Sequence, residues 1–361
     1  MEVTKLESTT PWWIGECAVT STSAAKRVGF IGVGEQGWNN LLPALGLVDH
    51  VDLVAVCDAD RTRLDRAART YGAAAYVDFN SMLDLEQLDA VVVASHPEVH
   101  EAVLRRTIPS RMPTFIEKPP TLSTTALRDL VQMNEIHRTI TSVGLNFGYS
   151  EPLQFVRAAL AEESFGRLSY LRVAHMNNKP DDDLWTTGRR LRSFLLSQVI
   201  HALGVVFDFG QPLDDDESID TYESDAGYLV TLRKQMTRHG TLTPFTAELV
   251  ASSSSPYFDW SLQAVSDRGN SIVVNSLLEV EVYSHDQDHL YTASPKWWRS
   301  TWRPSPMSSG YRRTGYERQF TEFIGAIDGA LAEHTIENAL HMYEVMDRVE
   351  HQHTRIGAPV A

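Results

Sequence analysis

One short segment constrains this chain more than its size or composition does. In Val28-Gly29-Phe30-Ile31-Gly32-Val33-Gly34-Glu35-Gln36-Gly37 an apolar strand pattern gives way to a helical one, and Gly32, Gly34 and Gly37 stand in G-x-G-x-x-G spacing. Each glycine has a mechanical reason. The first permits a tight turn, the second lets the backbone approach a pyrophosphate, and the third lets helix and strand pack closely while helix-end N–H groups face the anion. The next strand pattern ends in Asp58, 21 residues beyond Gly37. A carboxylate there accepts hydrogen bonds from the adenosine ribose hydroxyls of a dinucleotide. It would also meet the 2′-phosphate of NADP with like charge, so the expected cofactor is NAD rather than NADP, although Arg61 and Arg63 stand close by.

The surrounding pattern agrees. Between residues 26 and 150 short β-branched runs alternate with amphipathic helical patterns, the signature of βαβ units and a parallel sheet. Strands are expected at Arg27–Ile31, Asp52–Cys57, Ala75–Asp78, Asp89–Ala94, Thr114–Glu117 and Ile140–Leu145. Asp60 and Ser123 suit helix N-caps, and Trp38, Leu41, Leu42 and Leu45 form one apolar helix face that Pro43 should bend. After Pro152 the texture changes. Six further strands, Gly166–Met176, Asp225–Leu232, Thr243–Ser252, Tyr257–Val265, Ser271–Val274 and Leu278–Tyr283, follow with short turns, so a mainly antiparallel sheet is expected. An apolar helix near 194–207 is inserted after the first of them, and two helices, Tyr316–Ala330 and Ile336–Gln352, close the chain. The fold class is therefore α/β: an N-terminal Rossmann domain over 26–150, a C-terminal α/β domain over 151–361, and a loose extension over 1–25 in which Trp12-Trp13 can dock.

Composition narrows the partners. A chain of 361 residues exceeds what one core usually supports. Its formal charge of −15 repels polyanions, and without a basic patch neither nucleic acid nor an anionic membrane is expected as a partner. The two cysteines, Cys17 and Cys57, suggest neither a disulfide framework nor a thiolate metal site. Residues 1–25 lack a basic region followed by an apolar run, and no stretch of about 18 apolar residues is read elsewhere, so a soluble cytoplasmic protein is expected. The acidic runs Asp181–Asp183 and Asp214–Glu217 read as solvated loops. His285-Asp286-Gln287-Asp288-His289 reads as a solvated turn, with no metal expected. Trp297-Trp298 and Trp302 offer sugar-stacking rings, although rim packing accounts for them better.

A second cluster carries chemistry. Phe115-Ile116-Glu117-Lys118-Pro119 delivers a lysine at the carboxyl end of a parallel strand, the edge outside which ligands bind in such sheets. Burial there favours proton transfer by Lys118.

In order and spacing, Gly32-x-Gly34-x-x-Gly37, Asp58, Pro97-x-x-His100, Glu117-Lys118-Pro119 and Val143-Gly144-Leu145-Asn146 resemble the Gfo/Idh/MocA oxidoreductase family, which includes glucose-fructose oxidoreductase and inositol dehydrogenases. The likeness is strong over residues 26–152 and weaker beyond. It implies an open second sheet whose exposed face mediates homo-oligomerisation, a cis Lys118–Pro119 peptide, and a lysine and a helical histidine, here Lys118 and His201, facing the reacting carbon. It implies further cofactor contacts from Glu35, Gln36, Ser95, Pro97, His100, Glu117, Lys118 and Asn146. Two positions depart from the family pattern. Ser197 stands four residues before His201, where an aspartate is common, and Gly148 replaces the arginine of Asn-x-Arg-Tyr. Lys179, Trp185, Arg189, Arg190 and Arg192 lie on the approach to the histidine helix, where one or two would grip a substrate. The expected activity is hydride transfer between NAD(H) and a hydroxyl, carbonyl or imine carbon of a sugar, amino sugar or cyclitol. The alternatives are an NAD-dependent glycosidase-type reaction without net redox and a dinucleotide-binding sensor or co-repressor without turnover.

Overall fold

The structure is a computed structural model that describes residues 24–177, 183–185, 188–224, 227–239, 243–285 and 297–356. The expectations placed on Trp12, Trp13, Cys17, Lys179, Asp181, Asp182 and residues 286–289 fall outside the described residues, as do the side chains of Asp214, Asp215, Asp216, His285, Trp297 and Trp298.

Six parallel strands form the first sheet: β1 (Lys26–Ile31), β2 (Val51–Cys57), β3 (Ala74–Tyr76), β4 (Ala90–Val93), β5 (Thr114–Glu117) and β6 (Thr141–Gly144). Their order is β3-β2-β1-β4-β5-β6, so the chain reverses its winding between β1 and β4 and opens a crevice at their carboxyl ends. The β4 segment shows why this sheet is central: all four residues, Ala-Val-Val-Val, are buried, as a strand covered on both faces requires. Helix α2 (Arg61–Tyr71) starts where the Asp60 side chain accepts from the Thr62 and Arg63 amides, and α5 (Thr124–His137) starts where Ser123 accepts from Ala126. Both caps match the sequence reading.

Pro43 falls in the first turn of a short helix. A π-helical turn, Gly37–Leu41, runs into α1 (Leu42–Leu45). Proline has no N–H for the carbonyl four residues earlier. That carbonyl, of Asn39, instead accepts the Tyr311 hydroxyl at 3.0 Å.

The second sheet has eight strands in the order β14-β13-β12-β11-β7-β10-β9-β8. They are β7 (Leu168–Met176), β8 (Gly210–Ser224), β9 (Gly227–Arg238), β10 (Pro244–Ser252), β11 (Asp259–Ser266), β12 (Ser271–Asn275), β13 (Glu279–His285) and β14 (Trp297–Trp302). All pairs are antiparallel except β10 with β7. Two strands correct the sequence reading. The acidic run 214–217 falls within the range of β8, where the ladder to β9 is interrupted after Pro212 and resumes at Glu217; Glu217 itself is not solvated, since it pairs with Lys234 at 3.3 Å, both side chains being buried, and Arg348 adds a second cation. Strand β14 was also missed, and its Trp302 stacks on Phe155 with centroids 5.0 Å apart.

Between β7 and β8, residues Arg190–Phe209 form one continuous helical stretch: α7 (Arg190–Phe194), a π-helical turn (Leu195–Val199) and α8 (Ile200–Phe209). Contrary to expectation it is long and apolar enough to cross a membrane, but 89% of its most apolar 18 residues is buried inside the protein, where it covers the second sheet. The closing helices then return to the first sheet. After the short α9 (Gly310–Arg313), α10 (Tyr316–Ile327) places Phe320 and Phe323 in one core with Val28, Phe30 and Phe115. Helix α11 (Ile336–Ile356) lies along α5, joined by Thr124 to Asp347, Arg128 to Glu344 and Asn134 to Glu337.

Candidate active site

The glycine-rich turn leaves β1 into the crevice, and its geometry tests whether a dinucleotide fits. Gly32 has φ +91, and a Cβ there would lie 2.3 Å from the Ala94 carbonyl oxygen. A Cβ on Gly37 would lie 2.3 Å from the Gly32 carbonyl oxygen, so helix and turn touch there. Only Gly34 faces space, the Arg63 guanidinium being 3.7 Å from its Cβ position. One glycine turns, one packs and one is left open, as a backbone cradle for phosphate demands. Asp58 holds this turn: its carboxylate accepts from the Val33 and Asp60 amides, both at 2.8 Å. The residues present fit a dinucleotide.

Behind the crevice His100 works as a strut. Its Nδ1 lies 2.9 Å from the Pro119 carbonyl oxygen and its Nε2 accepts from the Ser95 amide at 3.1 Å, which assigns the neutral Nδ1–H tautomer. Burial lowers its pKa to about 4, against the opposing pull of the Pro119 carbonyl. One imidazole thus ties the β4 exit, where Pro97 begins α4 (Pro97–Ser110), to the β5 exit. The Lys118–Pro119 peptide at that exit is cis.

A cleft of about 320 Å³ opens between the two sheets. From the first half come Gln36, Ser95, Glu117, Lys118 and Asn146; from the second come Ser197, Gln198 and His201. Glu35 is exposed at the helix start, outside this lining. Burial pushes the Glu117 carboxyl up to about 7, while Lys118 and a hydrogen bond from Gln36 pull it down. Gly144 packs directly against this carboxyl: a Cβ there would lie 2.8 Å from Glu117 Oε1. Lys118 Nζ donates to the Ser197 carbonyl oxygen at 2.9 Å. Ser197 sits in the π-helical turn, so the position that lacks a carboxylate side chain meets the lysine through its backbone. His201 stacks on Phe147, centroids 4.5 Å apart and planes 22° from parallel.

Sequence reasoning missed Phe147, His175, Phe258 and Tyr316, which line the same cleft. Phe147 was legible beside Asn146; Tyr316 was not, since it reaches Gln36 at 3.2 Å across 280 residues of chain. Burial pushes the Tyr316 phenol up to about 12, with the Glu117 charge adding to the shift. Gly148 has no room for a side chain: its Cβ would overlap Asp208, which Arg157 pairs at 2.8 Å and His334 also contacts. Arg157 belongs to α6 (Glu151–Ala161).

Trp185, Arg189, Arg190 and Arg192 lie elsewhere, around a larger cavity of about 1010 Å³ between α5, α7 and α11. Arg192 is buried and bonded to Asp347, Glu350 and Thr124, and Arg189 pairs with Glu350 at 3.7 Å.

A doubly wound parallel sheet with a phosphate-type glycine turn, joined across a cleft to a second sheet, is the architecture of a dinucleotide-binding Rossmann protein. Residues 26–145 match the family model of the Gfo/Idh/MocA oxidoreductases, NAD-binding Rossmann fold. Inositol 2-dehydrogenase of Acidothermus cellulolyticus is 30% identical over 169 residues, 46% of this chain and 50% of that protein. D-apiose dehydrogenase of Paraburkholderia graminis is 30% identical over 158 residues, 44% of this chain and 42% of that protein. The chain spans about half the length of the curated relatives it matches. Among solved structures, a dehydrogenase from Chromobacterium violaceum superposes with TM-score 0.82 at 28% identity, over 92% of this chain and all of that one. GenD2 from gentamicin A biosynthesis, solved in complex with NAD, superposes at 0.70 with 21% identity, over 92% and 95% of the two chains, a likeness of fold. The sequence likeness to the Gfo/Idh/MocA oxidoreductase family thus covers residues 26–145, and the likeness of fold extends over about nine-tenths of the chain.

Proposed function

We propose that this protein is an NAD(H)-dependent oxidoreductase that moves hydride to or from a hydroxyl, carbonyl or imine carbon of a sugar, amino sugar or cyclitol. The observation that carries this reading is that Lys118 from the first half and His201 from the second line one cleft beside the glycine turn. In this reading Gly32, Gly34, Glu35, Gln36, Gly37, Asp58, Ser95, Pro97, His100, Glu117, Lys118 and Asn146 form the dinucleotide's surroundings. The dinucleotide, when bound, supplies hydride chemistry at C4 of its nicotinamide. The heteroatom on the reacting carbon must lose or gain a proton, and Lys118 is the group that exchanges it. The Ser197 carbonyl fixes the direction of Nζ. His201, held flat by Phe147, orients the same heteroatom. A cytoplasmic homo-oligomer belongs to the same proposal, supported by the net charge, the cysteine count and the habit of the family.

Incubating the protein with NAD or NADP and a panel of polyols, sugars and glycosides, while following absorbance of the reduced cofactor and release of the aglycone, tests the reading. Bond cleavage without reduced cofactor would favour the glycosidase-type alternative, and dinucleotide binding without turnover the sensor. Because Asp58 opposes a 2′-phosphate, NADH should bind more tightly than NADPH in a direct titration. Equal or tighter NADPH binding would show that Arg63 outweighs the carboxylate.

A further inference from the structure

Part of the cleft wall is built from rings. Phe147 follows β6 and stacks on His201. His175, buried on β7, has its ring centroid 5.9 Å from Phe147 and 6.5 Å from His201. Phe258, just before β11, meets His175 edge-on at 5.8 Å, yet 48% of it remains exposed. Trp260 backs Phe147 at 6.0 Å and is fully buried. Two imidazoles that can exchange hydrogen bonds are thus bracketed by two hydrocarbon rings that cannot. A molecule seated there can satisfy a hydroxyl or carbonyl against His175, His201 and Lys118. A hydroxyl turned toward either phenylalanine loses its water and gains no partner.

Resting on the reading above that this cleft receives the substrate, we propose that the substrate carries an apolar edge beside its polar, reacting edge, as a deoxy sugar or a partly hydroxylated cyclic alcohol does, and that Phe147 and Phe258 select it. A hydrophobic wall discriminates against one added hydroxyl by roughly 10–100-fold. Phe258 is the better handle for a test, since its exposed ring takes substitution at the cleft edge while Phe147 is packed between His201 and Trp260.

The test compares trans-cyclohexane-1,2-diol with myo-inositol, and a 6-deoxyhexose with its parent hexose, on the full chain with NAD(H) present. Binding is read by ligand-observed NMR and turnover by kcat/KM. The less hydroxylated member of each pair should win by about 10–100-fold, and Phe258→Ser should bring the ratio close to parity with its melting temperature retained. Parity in the unsubstituted protein, preference for the fully hydroxylated ring, no binding of any compound, or a ratio that Phe258→Ser leaves unmoved would each overturn the proposal. If the binding preference and its dependence on Phe258 hold while no compound is turned over, the selectivity stands and the hydride-transfer reading falls.

Discussion

Lys118 and His201 reach one cleft from different halves, but their supports differ in kind. The lysine is bonded to a backbone carbonyl, which no side-chain substitution at 197 removes, whereas the histidine is held by stacking on Phe147. Substitution should therefore be asymmetric. Lys118→Ala should lower kcat by about 10²–10⁴, the span of a lost general acid or base, with NADH affinity nearly unchanged. His201→Ala should cost less and raise KM as well. Near-normal kcat in Lys118→Ala on the true substrate would remove the lysine from the chemistry. Glu117 adds a pH signature. Burial lifts its carboxyl from 4.5 to about 7. Between those values the folded protein keeps a proton that the unfolded chain has released, so the stability this supplies is fully present below about 4.5 and is lost as pH rises through about 7. Glu117→Gln fixes the uncharged form. Its urea midpoint should gain on that of the unsubstituted protein between pH 5 and pH 8, and parallel profiles would mean that Lys118 and Gln36 hold the carboxyl ionised throughout.

At the scale of elements, β8 shows how charge misleads a reading of local sequence. Four acidic residues in a row argue for a solvated loop, yet strand pairing sets Glu217 against Lys234 with both side chains only 4% exposed. Such a pair is costly to break and cheap to replace. Glu217→Ala should cost roughly 3–5 kcal/mol by stranding the Lys234 ammonium, while the double change Glu217→Leu with Lys234→Met should recover most of it. Urea midpoints of the two variants check this, and equal losses would mean that water reaches Lys234. The same contrast explains what was legible. The βαβ half was readable because its signals are local: the glycine spacing, a four-residue buried strand at β4, and caps at Asp60 and Ser123. The hydroxyl that serves the Asn39 carbonyl, four residues before Pro43, comes from Tyr311 far along the chain. Strand β8 and the cleft residues His175, Phe258 and Tyr316 were hidden because their roles depend on partners far along the chain.

Across the whole molecule, the two halves are stitched rather than merely linked. Phe320 and Phe323, carried by α10 near the end of the chain, are at most 1% exposed and lie against Phe115 on β5. Truncating a buried phenylalanine to alanine costs about 3–5 kcal/mol, a large part of the 5–15 kcal/mol that a folded domain usually retains. The first sheet thus packs on residues about 175 positions beyond its last strand, and the same helix carries Tyr316 into the cleft that Lys118 and His201 line. A fragment covering residues 24–150 should therefore lack a cooperative melt by circular dichroism, although it holds the glycine turn and all six strands. In the full chain Phe320→Ala should lower one common transition, with near-ultraviolet and far-ultraviolet signals moving together. A fragment that melts cooperatively, or a variant whose first half unfolds separately, would show that α10 only rests on the first sheet, and Lys118 would then owe its position to β5 alone.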